Sequence, residues 1–177
     1  WKRHATLYLA SQAISLFGTV LVQLAITWYI TLRTQSGSMM TISILCAFVP
    51  TLLISPFAGV WADRYDRKLL IAVSDTMIAL CTLAIALLFL AGYDAVWLLF
   101  VASAIRSFGS GIQMPAVGAF LPQFVPQEHL MKVNAINGSI QSALNLFAPM
   151  LSAALLTVAS IEAIFFVDVV TAAIAVT

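Results

Sequence analysis

Three ionisable residues stand inside long apolar runs, where a charge is hardest to keep: Asp75, Arg106 and Asp168. Even low estimates put an arginine at the centre of a bilayer at roughly 2.5–3.5 kcal/mol. Arg106 therefore needs an acidic partner, an anionic ligand or water. Asp75 and Asp168 can each take up and release a proton if desolvated, which is the chemistry of proton coupling. By helix rise, Arg106 lies ~15 Å from the outer end of its run, near the midplane. Asp168 sits about six residues from an outer helix end and Asp75 about six from an inner one. That spacing sets neither acid opposite Arg106, so a simple buried pair is not expected.

Uncharged polar residues form stripes around these charges. Gln12, Ser15, Thr19, Gln23 and Thr27 recur at spacings of three and four, as do Ser103, Arg106, Ser110 and Gln113. Asn134, Asn137, Gln141, Asn145 and Ser152 make the longest stripe. Such stripes serve either as hydrogen-bonding glue between membrane helices or as the wall of a water-accessible cavity. Carboxamides and an arginine favour the cavity, whose candidate residues are Gln23, Arg106, Gln113, Asn137, Gln141 and Asn145. Cys46 and Cys81 read as small buried hydrophobes, and His4 and His129 as surface residues, none with metal-ligand neighbours. No nucleophile–base motif, phosphate loop or metal cluster is present, so neither an enzyme nor a cofactor is indicated. The net charge of +1 argues against nucleic acid.

The elements that must carry these residues follow from composition. Charged residues make up 8% of the 177-residue chain and hydrophobic ones 62%. A soluble domain carries roughly a quarter charged residues, and a bilayer crossing needs about 20 apolar residues. Runs of that kind fall at about 6–32, 38–61, 69–91, 95–119, 135–158 and 163–177, the last cut short of a full crossing. The expectation is an all-α membrane protein, one transmembrane domain over 1–177. No signal peptide is visible, since the first run is too long and carries Gln12, Gln23 and Thr27. The third run has little polarity beyond Asp75 and Thr82 and reads as the most peripheral. Pro50, Pro56, Pro115 and Pro149 fall within runs and are expected to interrupt them, freeing carbonyls and favouring bends. Pro122 and Pro126 rule out a continuous helix through the longest connection, 120–134.

Charge sets the orientation. With the N-terminus inside, the inner segments hold Lys2, Arg3, Arg64, Arg67, Lys68 and Lys132, and the outer ones only Arg33 with Asp94 and Glu162. Trp28, Tyr29, Tyr93 and Trp97 mark the outer boundary. Two echoes link each run to the one three further on. FVPTL (48–52) resembles FAPML (147–151), and FGT (17–19) resembles FGS (108–110). A repeat of three crossings must invert in the membrane, giving a 3+3 inverted repeat of the kind that builds many secondary transporters.

One loop concentrates charge between two apolar runs: GVWADRYDRKLL, residues 59–70, with Asp63, Arg64, Asp66, Arg67 and Lys68. It resembles the G-x-L-A-D-R-x-G-R-K-x-x-L loop of the major facilitator superfamily, which joins the second and third helices on the cytoplasmic side. Gly59, Ala62, Asp63, Arg64, Arg67, Lys68 and Leu70 match; Trp61 replaces a common Leu and Asp66 the second Gly. RSFGSG (106–111) resembles the family's fourth-helix R-x-x-x-G pattern, and NLFAPMLSAAL (145–155) the fifth-helix G-P-x-x-G pattern of antiporters, with Ala148 before Pro149.

The resemblance implies the N-terminal six-helix half of a twelve-helix fold, in the drug- and macrolide-efflux-like branch. It implies a secondary active transporter, proton-coupled, exporting amphipathic small molecules by alternating access from a bacterial inner membrane. Its partners would be a small-molecule substrate, protons, membrane lipids and the C-terminal half. Gly59, Asp63, Arg64, Asp66, Arg67 and Lys68 would form a latch between halves, or serve only as topogenic charge. A lysophospholipid or siderophore transporter of the same fold, a half-sized dimerising subunit and a non-transporting scaffold are the alternatives.

Overall fold

Lipid offers no partner to a backbone N–H or C=O, so each apolar run closes its hydrogen bonds internally as a helix. The computed structural model describes residues 2–123 and 125–176, and side chains within that range except those of 2, 4, 5 and 174–176. Six α-helices are described: α1 (Lys2–Thr34), α2 (Gly37–Arg64), α3 (Arg67–Leu90), α4 (Val96–Phe120), α5 (Gln127–Val158) and α6 (Ile161–Val176). A short 3-10 turn, Leu121–Gln123, follows α4. Helices α1 to α5 are long and apolar enough to cross a bilayer. Residue 177 and the side chains of Lys2 and His4 lie outside the described residues.

Two local differences from the sequence expectation have physical causes. α5 starts at Gln127, well before 135, because Pro126 presets the turn with φ −56° and Glu128 suits the positive end of the helix. This first turn is polar, so hydropathy alone does not register it. The intrahelical prolines also fail to break their helices: Pro50 and Pro56 lie inside α2, Pro115 inside α4 and Pro149 inside α5.

Beside Pro50 a neighbouring helix bonds directly to the α2 backbone. The Ser107 hydroxyl of α4 donates to the Ala47 carbonyl (2.5 Å) and accepts from the Thr51 amide (3.2 Å). Those are the two groups that face one another across the turn holding Pro50. Thr51 returns the contact, its hydroxyl donating to the Ser107 carbonyl at 2.7 Å.

Helix pairing obeys the three-helix echo. α4 packs on α2 and α3, while α1, three helices earlier, packs on α5 and α6. Exchanging each helix for the one three away carries one set of contacts onto the other. The repeated FG pair sits at equivalent crossings. A Cβ on Gly18 of α1 would collide with the Thr171 hydroxyl and come within 3.2 Å of the Asp168 Cα on α6. A Cβ on Gly109 of α4 would lie 2.8 Å from Ile78 on α3. Both glycines let a backbone approach that any side chain would hold off.

A packed apolar cluster joins α1, α3, α4 and α6, with Leu21, Ile26, Ile85, Phe89, Leu99 and Phe165 at its centre. The Phe89 ring meets Phe165 edge-on at 5.9 Å and Tyr29 at 6.0 Å. This corrects the expectation that the third span is peripheral. α3 lies against α4 and α6 and buries Ser74, Asp75 and Thr82, whereas α2 and α5 leave most of their surface uncovered. Polarity misleads here because helices associate in lipid by packing, with no requirement for polar faces.

Candidate functional site: an ion-paired core beside a carboxamide-edged cavity

The deepest charge in the bundle is paired. Arg106 Nη1 lies 2.5 Å from Asp168 Oδ2, and the two side chains are 2% and 1% exposed. The same nitrogen donates to the Thr82 hydroxyl, which itself donates to Asp168 Oδ2 at 2.9 Å. Arg106 Nη2 donates to the Thr19 carbonyl at 3.0 Å. One guanidinium thus ties α1, α3, α4 and α6 together.

This overturns the expectation that neither acid faces Arg106. By helix rise the two residues sit ~15 Å and ~10 Å from the starts of their helices, and the long arginine stem spans the difference. Residue spacing within each helix carried no information on that reach. Gly18 completes the geometry by letting α6 close on α1, with Asp168 Oδ1 within 3.0 Å of where its Cβ would stand.

Asp75 is in a different state. It is 4% exposed and has no cationic partner among the described residues. Both of its hydrogen bonds fall on Oδ1, from the Ser15 hydroxyl (3.2 Å) and from Gln113 Nε2 (2.8 Å). The two intramembrane acids are therefore not equivalent: one is neutralised by an arginine, the other is held only by neutral donors.

Gln113 also lines a cavity of about 530 Å³ between α1, α4 and α5. Asn137, Gln141 and Asn145 of α5 face it from one side, and Gln12 and Thr19 of α1 from another. Leu16, Val20, Met114, Val117 and Leu144 supply its apolar wall. A site of this kind matches amphipathic solutes: apolar area gives affinity, and carboxamides offer both a donor and an acceptor without fixed charge.

Of the six residues expected at the cavity, Gln113, Asn137, Gln141 and Asn145 are brought together there. The other two are elsewhere. Gln23 donates to the Ser103 hydroxyl at 3.1 Å, bonding α1 to α4, and Arg106 is committed to its ion pair. Gln12, Thr19 and Ser110 line the cavity without having been singled out for it. They belong to the same stripes one turn along, and that periodicity was the signal for them. Pro115 and Pro149 lie on the two helices that face each other across this space, and Pro50 lies on α2.

The charged loop has a definite local structure. Asp66 is the N-cap of α3, its carboxylate accepting from the Lys68 amide at 2.9 Å. A carboxylate there satisfies a free helix-end N–H, which accounts for an acid where the resembling loop has glycine. Arg67 donates from Nε to the Ala62 carbonyl and from Nη1 to the Ala119 carbonyl, both at 2.9 Å. It binds the carbonyl ends of α2 and α4 to the start of α3. Asp63, Arg64 and Lys68 are exposed, with no ion pair among the described residues, and no atom lies near a Cβ placed on Gly59. At the other end of the bundle, Arg33 pairs with Asp94 at 2.7 Å.

Apolar crossing helices around a carboxamide-edged cavity, with a buried acid bonded to one of its lining residues, fit a polytopic membrane transport domain. Residues 8–177 match the family description of the Major Facilitator Superfamily. The chain belongs to that family of transporters. It is 33% identical over 175 residues, 99% of its length, to Macrolide efflux protein A of Streptococcus pyogenes. It is 34% identical over 140 residues, 78% of its length, to Macrolide efflux protein A of Enterococcus faecalis. An uncharacterized MFS-type transporter of Bacillus subtilis, YfiS, is 26% identical over 161 residues, 90% of the chain. The chain spans 43% of the length of each macrolide efflux relative and 37% of YfiS.

Proposed function

We propose that this chain is the N-terminal six-helix half of a secondary active exporter of amphipathic, macrolide-like small molecules. Export is coupled to protons and proceeds by alternating access against a C-terminal half. The cavity carries the reading: about 530 Å³ of largely apolar space edged by carboxamides from α1, α4 and α5. Its similarity to the macrolide efflux proteins supports the same substrate class. Asp75 is the coupling acid in this reading, because it is buried without a cation. Asp168 gives up that role to its pairing with Arg106.

The N-terminus lies in the cytoplasm of a bacterial inner membrane, which puts Asp63, Arg64 and Lys68 on the cytoplasmic face. Exposed there, they are placed to engage the second half, while Arg67 and Asp66 hold the loop's own shape.

The test is macrolide export in proteoliposomes of the full-length protein under an imposed pH gradient. Gradient-dependent transport is expected, with Asp75→Asn losing gradient dependence. Transport that ignores the gradient sinks proton coupling. No macrolide flux, with flux of a lysophospholipid or a siderophore instead, sinks the substrate class.

A further inference from the structure

Among the described residues, Gln113 is the carboxamide that touches both the buried acid and the cavity. Its Nε2 donates to Asp75 Oδ1 at 2.8 Å, and the same side chain lines the cavity wall. A carboxamide has a donor end and an acceptor end. With Nε2 turned to Asp75, Oε1 is the end left for the cavity that the same side chain lines. An ionised carboxylate accepts only, so it holds Gln113 in this orientation. A protonated carboxyl has an O–H to donate, and Oε1 can then turn to receive it.

We propose that Gln113 is a specificity-determining switch through which Asp75 sets what the cavity offers its substrate. While Asp75 is ionised, the cavity meets Oε1, an acceptor, with a negative charge one side chain behind it. Once Asp75 takes up a proton, the carboxamide reverses and presents its NH₂, and the charge is gone. The inference rests on the reading of Asp75 as the coupling acid, and it adds the substrate class: solutes bearing a protonated amine. Such a solute is held by the first state and released by the second. The step moves one proton from water to an Asp75 oxygen and turns one amide about its Cγ–Cδ bond, with no covalent change at Gln113.

Other ionisable groups around Asp75 are accounted for. Tyr8 of α1 and Asp168 of α6 are near enough to interact electrostatically with Asp75, and the Asp168 charge is held by Arg106 of α4. On α3 itself, Arg67 and Lys68 stand two turns away at the helix start. None of these comes between Gln113 and Asp75, which are in direct contact.

The test uses erythromycin, a macrolide with a tertiary amine, and the full-length protein in nanodiscs. Binding is measured at about pH 5.5 and 7.5, where that amine stays protonated. Wild type is expected to bind about tenfold more tightly at the higher pH, and Asp75→Asn to hold the two values within about twofold. Gln113→Met keeps the side chain's length without a donor or acceptor, and it is expected to cut the tenfold effect to about threefold, the share that the Asp75 charge supplies without the carboxamide.

A tenfold pH effect that survives Gln113→Met but not Asp75→Asn overturns the switch and leaves the coupling acid standing. An effect that survives both substitutions overturns the coupling acid and the switch together. Absence of erythromycin binding in wild type overturns the substrate reading on which the switch rests. If Gln113→Met does not fold, Gln113→Glu takes its place. Two carboxyls in contact must share protons, so the midpoint of the binding profile should move; an unmoved midpoint overturns the switch.

Discussion

Asp75 and Asp168 show how one residue type takes two roles inside one bundle. Asp168 and Arg106 neutralise each other in a site closed to water. Removing one partner strands the other charge, so Arg106→Ala or Asp168→Ala is expected to cost about 3–5 kcal/mol. Replacing both by leucine should recover most of that loss, because the desolvation penalty of the pair disappears with it. Thermal unfolding of the purified variants decides the matter; a double variant no better than the singles contradicts it. Gly18→Ala is expected to behave like a partial break of the same pair, since its methyl would collide with Thr171 and crowd Asp168. That variant should unfold at lower temperature than Gly138→Ala, whose Cβ meets no atom within 4 Å.

Among the helices, the clasp between Thr51 and Ser107 joins α2 to α4 at the turn that Pro50 disturbs. Ser107→Ala removes both bonds to the α2 backbone and should cost about 1–3 kcal/mol. In a Pro50→Ala background the ring's clash with the preceding turn is gone and Thr51 N–H is free to bond the Ala47 carbonyl, so the same substitution should cost less. A double-mutant cycle with no coupling between positions 50 and 107 would refute that account.

The helices themselves were legible in the sequence, because hydropathy runs of crossing length admit no other structure in lipid. The FG echo was legible too, and it marks equivalent crossings at Gly18 and Gly109. The start of α5 was not, its first turn being polar and set by Pro126. The pairing of Arg106 with Asp168 was not, because it depends on how far a flexible side chain reaches between two helices. Four cavity residues followed from carboxamide stripes, but Gln23 carries the same signal and bonds Ser103 instead. A stripe tells which face avoids lipid, not whether it meets water or another helix.

For the whole molecule, the charged loop divides into residues that shape it and residues left exposed. Asp66 caps α3 and Arg67 fastens the ends of α2 and α4. Asp66→Ala should therefore lower stability by about 0.5–2 kcal/mol, as loss of an N-cap does. Asp63→Asn breaks no side-chain bond among the described residues and should leave the melting temperature unchanged while slowing export by the full-length protein. Melting curves and transport rates from the same preparations separate the two roles. A fall in melting temperature for Asp63→Asn would remove the case for its acting between halves.

The Arg106–Asp168 bond also has a place in time. Its partners are 62 residues apart, and arginine is made first. At roughly 5–20 residues per second, the ribosome needs about 3–12 s to deliver the aspartate after the arginine. Throughout that interval α4 carries a cation that lipid rejects. Releasing α4 ahead of α6 strands that cation at roughly 2.5–3.5 kcal/mol, so α4 to α6 gain from entering the bilayer together.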